Sequence, residues 1–412
     1  MRDNNWVFEI FAILLTIDVI GAFHVIANIE TIIPVYMIIS FIYLALLISL
    51  LNYSRMIDKV AIVYSVALLI GFSCHKLMGL DDKLFVVVIL RVSPVLLIMY
   101  FSYSKAKPSS FLSYFVLSFF VVECIIAIYE RMTMTHLINY PLNTQAMAFD
   151  MDFTERFRSF SLMGHPLRNS FVVLIMLAFI ICSSYIPKKI KLLLAVLGLG
   201  AIWATNSRIA MIMGAIIVFY RFLLSDKNWK WTVVTIFLLF IIVPSAIAFI
   251  EKTHILGRLD FDFNDSSSMV RIVAYYIFVN HEWSLSEILL GGTELEYPIF
   301  YFPNAPQKHV ILENSILMIL GYWGFVIGPV IILGEIAITY LALWRYKMKD
   351  KLIIMVAVWI GALMSPATYT ATYIITFFMI SNYAFAEKYP LNTRKEAYVK
   401  LLNILNKRLN KV

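Results

Sequence analysis

Residues 313–344 read ENSILMILGYWGFVIGPVIILGEIAITYLALW, and only Glu313 and Glu335 in this stretch are charged. A run of about 20 apolar residues crosses a bilayer as a helix, because in lipid every backbone polar group must be satisfied within the segment. This run is longer than one crossing needs, so it is expected to be tilted or broken. Working outward, similar stretches lie near 6–26, 31–51, 60–79, 84–103, 111–130, 169–186, 190–204, 207–224, 231–250, 352–368 and 370–387. Together they predict about twelve transmembrane helices. The composition agrees: of 412 residues 61% are hydrophobic and 15% charged, with mean hydropathy +0.83. A soluble protein has roughly 45–50% apolar residues and about a quarter charged. A soluble enzyme, a disordered protein and a nucleic-acid binder are therefore excluded. The fold class expected is an all-α polytopic membrane protein, with residues 1–412 forming a single integral membrane domain.

Charge sets the sidedness. With the N-terminus inside, the inner segments hold 22 of the 34 lysines and arginines and the outer segments hold eleven, with Arg91 inside a span. Short inner loops dense in positive charge are what the positive-inside rule requires, so both termini are expected in the cytoplasm. The first span reads as a retained helix: its flank, Met1-Arg2-Asp3-Asn4-Asn5, is charge-balanced and no small-x-small site follows. The tail 388–412 is basic. From Asn392 it sets Leu401, Leu402, Ile404, Leu405 and Leu409 among lysines and arginines, as an amphipathic helix on the inner leaflet would. Cys74, Cys124 and Cys182 are spaced for neither a disulfide framework nor a zinc site.

Two segments are too long for tight turns, 131–168 and 251–312, and both fall on the outer face. Loops longer than about 15 residues are usually functional. These two are expected to form the site. The first holds Arg156, Arg158 and Arg168, the second Arg271, and Arg208 starts a span. Arginine is disfavoured in translocated loops, and its rigid fork of donors matches phosphate oxygens. Pairing with Asp150, Asp152, Glu155, Asp260, Asp262 or Asp265 explains any one of them; anion binding explains the set.

Five local contexts sharpen this reading. Arg158-Ser159-Phe160-Ser161-Leu162-Met163-Gly164-His165-Pro166 precedes the sixth span, and Thr205-Asn206-Ser207-Arg208 joins the seventh to the eighth. Asp265-Ser266-Ser267-Ser268-Met269-Val270-Arg271 reads as a serine-rich cap opening a helix to about Val279, with Met269, Ile272, Val273, Tyr276 and Ile277 at helical spacing. Leu290-Gly291-Gly292-Thr293 is a turn. Glu313-Asn314-Ser315 opens the tenth span, which then carries Gly321, Gly324 and Gly328.

In order and placement these contexts resemble the O-antigen polymerase/ligase family of bacterial inner-membrane proteins (Wzy-type polymerases and WaaL-type ligases). The resemblance covers residues 156 to about 330; the first five spans match only as generic hydrophobic helices. It implies a glycosyltransferase needing neither metal nor other cofactor. Its donor is a glycan on undecaprenyl diphosphate, presented at the periplasmic face, and an acceptor-sugar hydroxyl displaces the lipid diphosphate with inversion. On this resemblance Glu313, Arg208 and Arg271 are expected to be catalytic. Arg156, Arg158, Arg168, His165, His309 and Asn314 are expected to bind substrate. A chain-length regulator and a flippase are the partner proteins implied.

Ligases of the family carry a His-Asn or similar pair where this chain has Glu313-Asn314, with His309 four residues earlier. That departure favours a polymerase making O-antigen, capsule or exopolysaccharide over a ligase acting on lipid A core. A lipid-linked sugar flippase is the alternative of another class, suggested by Glu9, Asp18, Arg91, Glu123 and Glu335 within spans. Those charges are equally explained by internal pairing, and the halves lack repeat symmetry. Tyr297, Tyr301, Phe302 and Trp283 are available to stack on sugars without naming one.

Overall fold

The computed structural model describes residues 59–60, 62–67, 70, 73, 110–138, 157–183, 186–224, 275–291, 315–345 and 350–364. Among them there is helix and no strand. We label the helices α1 (Ser110–Thr133), α2 (Pro166–Cys182), α3 (Lys188–Ala204), α4 (Arg208–Phe219, running on as a π turn at Tyr220–Leu224), α5 (Leu285–Leu290), α6 (Ser315–Arg345) and α7 (Lys351–Met364). Except for α5, each matches an expected span to within a few residues. The spans at 6–26, 31–51, 84–103, 231–250 and 370–387 lie outside the described residues, so the count of twelve extends beyond them. One described segment, Ile319–Leu341, is long and apolar enough to cross a membrane by length and composition, with 23 residues and a mean hydropathy of 1.9.

α2 is the centre of the bundle. From Phe171 to Ile181 every side chain is at most 1% exposed, because α2 is apolar on all faces and packs against α1, α3, α4 and α7. α1 is built the other way round from a soluble helix. Glu123, Cys124, Ala127 and Glu130 point inward and are fully buried, while Val122, Ile125, Tyr129 and Met132 form an exposed apolar stripe. Apolar residues outward and ionisable ones inward suit a helix whose outer solvent is lipid.

The bundle has two ends. At one, Arg221 on the π turn donates to the Ile181 carbonyl (3.2 Å) and sits 3.5 Å from Asp350. This gathers the C-terminal ends of α2 and α4 and the start of α7, all assigned by charge to the cytoplasm. A cation over the last carbonyls of α2 also complements its dipole. At the other end, the Ser159 amide donates to the Ala204 carbonyl (3.1 Å), joining the loop before α2 to the end of α3. Both of these segments fall on the outer face in the charge-based topology. Glu335, mid-way along α6, is buried and accepts from the Tyr64 hydroxyl at 2.9 Å. That is the internal pairing expected of an intramembrane carboxylate. Arg91 lies outside the described residues.

Of the two readings its length allowed, tilted or broken, α6 shows the break, and it lies at Gly324 (φ 73°, ψ 174°) rather than at Pro329. The helical residues 275–280 and α5 dock on its first half. Phe278, Trp283 and Phe325 pack in tilted and edge-on pairs with ring centroids 4.9–6.2 Å apart, over Leu317 and Leu320. The capping box at Ser284 and Glu287 starts α5: the Glu287 amide bonds the Ser284 hydroxyl at 3.3 Å and the Ser284 amide bonds the Glu287 carboxylate at 2.8 Å. Of the helix expected to reach Val279, the described part ends at Asn280. Its buried side chain is Phe278, whereas Tyr276 is exposed.

Candidate functional site

The loop entering α2 is held from below by one carboxylate. Glu130, near the end of α1, is fully buried and accepts four hydrogen bonds. Oε2 takes the Ser159 hydroxyl (2.7 Å) and the amides of Phe160 (3.0 Å) and Ser161 (2.9 Å), and Oε1 takes the Leu137 amide (2.9 Å). Charge-assisted bonds of this kind are about twice as strong as neutral ones. Glu130 thus ties the chain leaving α1 to the chain entering α2. Arg131 reinforces the tie: its guanidinium donates to the Phe157 carbonyl and lies 5.5 Å from the centre of the Trp203 ring. His136 stacks on Phe157 and Phe160 at 4.7 and 4.1 Å, with Nδ1 3.6 Å from the Glu130 carboxylate.

Two residues near the loop have positive φ, a backbone region that costs a non-glycine residue about 1–3 kcal/mol. Ser161 has φ 46°, and its hydroxyl donates to the Glu123 carbonyl at 3.2 Å. Asn206 has φ 53° and turns the chain from α3 into α4. Such strain persists where surrounding contacts fix the backbone, as the Glu130 bonds do at Ser161.

The loop presents Arg158, His165 and Arg168 together. His165 occupies the N-cap of α2 but makes no capping bond with its side chain, and Pro166 follows at the first helical position. Burial pushes the His165 imidazole down to about pKa 4, helped by repulsion from the guanidinium groups of Arg168 and Arg158. It is therefore neutral near pH 7, between two cations. Its Nδ1 is buried and has no hydrogen-bond partner among the described residues. One turn on, Asn169 is fully buried with both amide atoms equally unsatisfied, and at the α3–α4 turn so is Nδ2 of Asn206. Buried polar groups without partners are uncommon, and Asn169 directly follows Arg168 in the chain. Helix α2 adds its N-terminal dipole, which favours an anion.

Three of the expected site residues are thus brought together. Arg208 is the first residue of α4, two positions past the Asn206 turn, and the Ser159–Ala204 bond links that end of α3 to the loop. Arg156, Arg271, His309, Glu313 and Asn314 lie outside the described residues; Ser315, directly after the Glu313-Asn314 pair, starts α6. Trp283, one of the four aromatic residues available to stack on sugars, packs edge-on against Phe278 and Phe325. Glu130 and Arg131 were not singled out from sequence. A Glu-Arg pair closing an apolar run reads as a solvated helix end, and their partners in the loop before α2 lie 26–31 residues away. Among the described residues no three His, Cys, Asp or Glu side chains converge on a metal-sized site. Comparison with protein-family models gives no match, and comparison with curated proteins gives none.

Proposed function

We propose that the protein is a polymerase that joins undecaprenyl-diphosphate-linked oligosaccharide units into a polysaccharide at the periplasmic face of the bacterial inner membrane. The observation that supports this reading is the Arg158–His165–Arg168 cluster at the uncapped start of α2, on a loop tied to the turn that begins α4 with Arg208. In the reaction an acceptor-sugar hydroxyl attacks the anomeric carbon of the donor. The bond from that carbon to the diphosphate oxygen breaks, and the lipid diphosphate leaves with the electron pair. Negative charge grows on the leaving group, and arginines fixed in a partly dehydrated site stabilise it there. On this reading His165, held neutral, is a hydrogen-bonding group toward phosphate or sugar; its low basicity makes it a poor proton acceptor. The hydroxyl proton then goes to Glu313 or His309, with Arg271 supporting the leaving group.

The test is polymer yield at matched protein level. Loss of either Arg158 or Arg168 to alanine removes charge-assisted bonds made in a partly dehydrated site. It is expected to cost about 2–5 kcal/mol, lowering the rate well over tenfold. Lysine does not restore a two-pronged contact. Wild-type yield from both alanine variants would remove the cluster from the site.

A further inference from the structure

The break in α6 has a partner. A Cβ built on Gly324 would lie 2.7 Å from the Gly291 amide nitrogen and 2.8 Å from the Ile288 carbonyl oxygen. A Cβ built on Gly291 would lie 2.4 Å from both the Gly324 nitrogen and the Tyr322 carbonyl. All of these are backbone atoms, which cannot swing aside as a side-chain tip does. Both glycines have positive φ, 74° and 73°, so each is required twice over, by conformation and by space. Gly291 is the C-cap of α5, so the last turn of α5, with its outward carbonyls, rests against the point where the second half of α6 begins. A helix C-terminus carries partial negative charge and an N-terminus partial positive, and a break within an apolar helix leaves backbone groups that need partners. The aromatic cluster of Phe278, Trp283 and Phe325 closes over the same contact from the side.

We propose that the Gly291–Gly324 contact is a docking joint that seats the end of α5 in the break of α6 and so clamps the second long outer loop to the membrane bundle.

The experiment places one reporter cysteine at Leu317, which packs under Phe278, in the full-length protein with native cysteines replaced, in membranes. Its labelling rate by a thiol reagent reads undocking without reference to activity. Gly324→Ala and Gly291→Ala are each expected to speed labelling by roughly tenfold or more, with the protein still in the membrane. Gly321→Ala is the control, because its added methyl meets only Phe278 Cε2, at an ordinary 3.8 Å; it should label as the parent does. Unchanged labelling in both glycine variants would overturn the joint. So would loss of folded protein in Gly291→Ala with Gly321→Ala intact, since the contact would then hold the bundle itself together.

Discussion

Replacing Glu130 by glutamine isolates what the buried carboxylate does. The side chain keeps its shape but exchanges one oxygen for an NH2 group. Three donors face Oε2 and one, the Leu137 amide, faces Oε1, so the amide oxygen must point to the three. The NH2 group then meets the Leu137 N–H, donor against donor, at the part-buried side of the carboxylate. One unsatisfied buried donor costs about 1–3 kcal/mol, and the three remaining bonds lose their charge assistance. Glu130→Ala leaves all four donors without an acceptor and should cost more, about 3–5 kcal/mol after relaxation. The loss falls on the loop at 157–161, whereas α2 keeps its apolar packing. Hydrogen exchange by mass spectrometry in detergent reads this directly. Glu130→Gln should speed exchange of the peptide containing Phe160 and Ser161 roughly ten- to a hundredfold, with peptides from α2 unchanged. Unchanged exchange at Phe160 and Ser161 would refute the claim that Glu130 holds the loop. Equal acceleration through α2 would show that it holds the bundle instead.

The His165 imidazole titrates at about 4 when folded against 6.5 for the ordinary value. Between those pH values the unfolded chain binds more protons, so stability should fall as pH is lowered from about 6.5 to about 4; His165→Gln should flatten that slope in a thermal-shift series, and an unchanged slope would assign it to other groups. For sidedness, single cysteines at Thr135, exposed just beyond α1, and Lys189, exposed at the start of α3, divide the alternatives. Thr135→Cys should react with an impermeant thiol reagent in intact cells and Lys189→Cys should not; the reverse pattern would put the arginine cluster in the cytoplasm and end the proposed chemistry.

How much was legible in the sequence follows from how far apart the interacting residues lie. Arg158, His165 and Arg168 fall within eleven residues around a Gly-His-Pro turn, so local reading brought them together. Glu130 meets its partners across a loop, and nothing in the run Tyr129-Glu130-Arg131 distinguishes an anchor from a frayed helix end. Length alone left α6 either tilted or broken, and it pointed to no position. Proline is the usual cause of a kink, but Pro329 lies inside a continuing helix and the chain breaks at Gly324, where α5 needs room. That requirement is tertiary, and periodicity carries no trace of it. Trp283 shows the same limit, since an aromatic residue in an outer loop reads equally as a sugar platform or as packing.

The central claim is that one protein both binds a lipid diphosphate and makes a glycosidic bond. The most direct measurement is the product formed by the purified protein in lipid vesicles. It would be given only undecaprenyl-diphosphate-linked repeat units, isolated from cells lacking the protein, as both donor and acceptor. The account predicts a ladder of longer lipid-linked glycans with release of undecaprenyl diphosphate, and loss of both in Arg168→Ala and Glu313→Gln. Single units carried across the vesicle membrane with no new bond, or units transferred only when lipid A core is added, would contradict it.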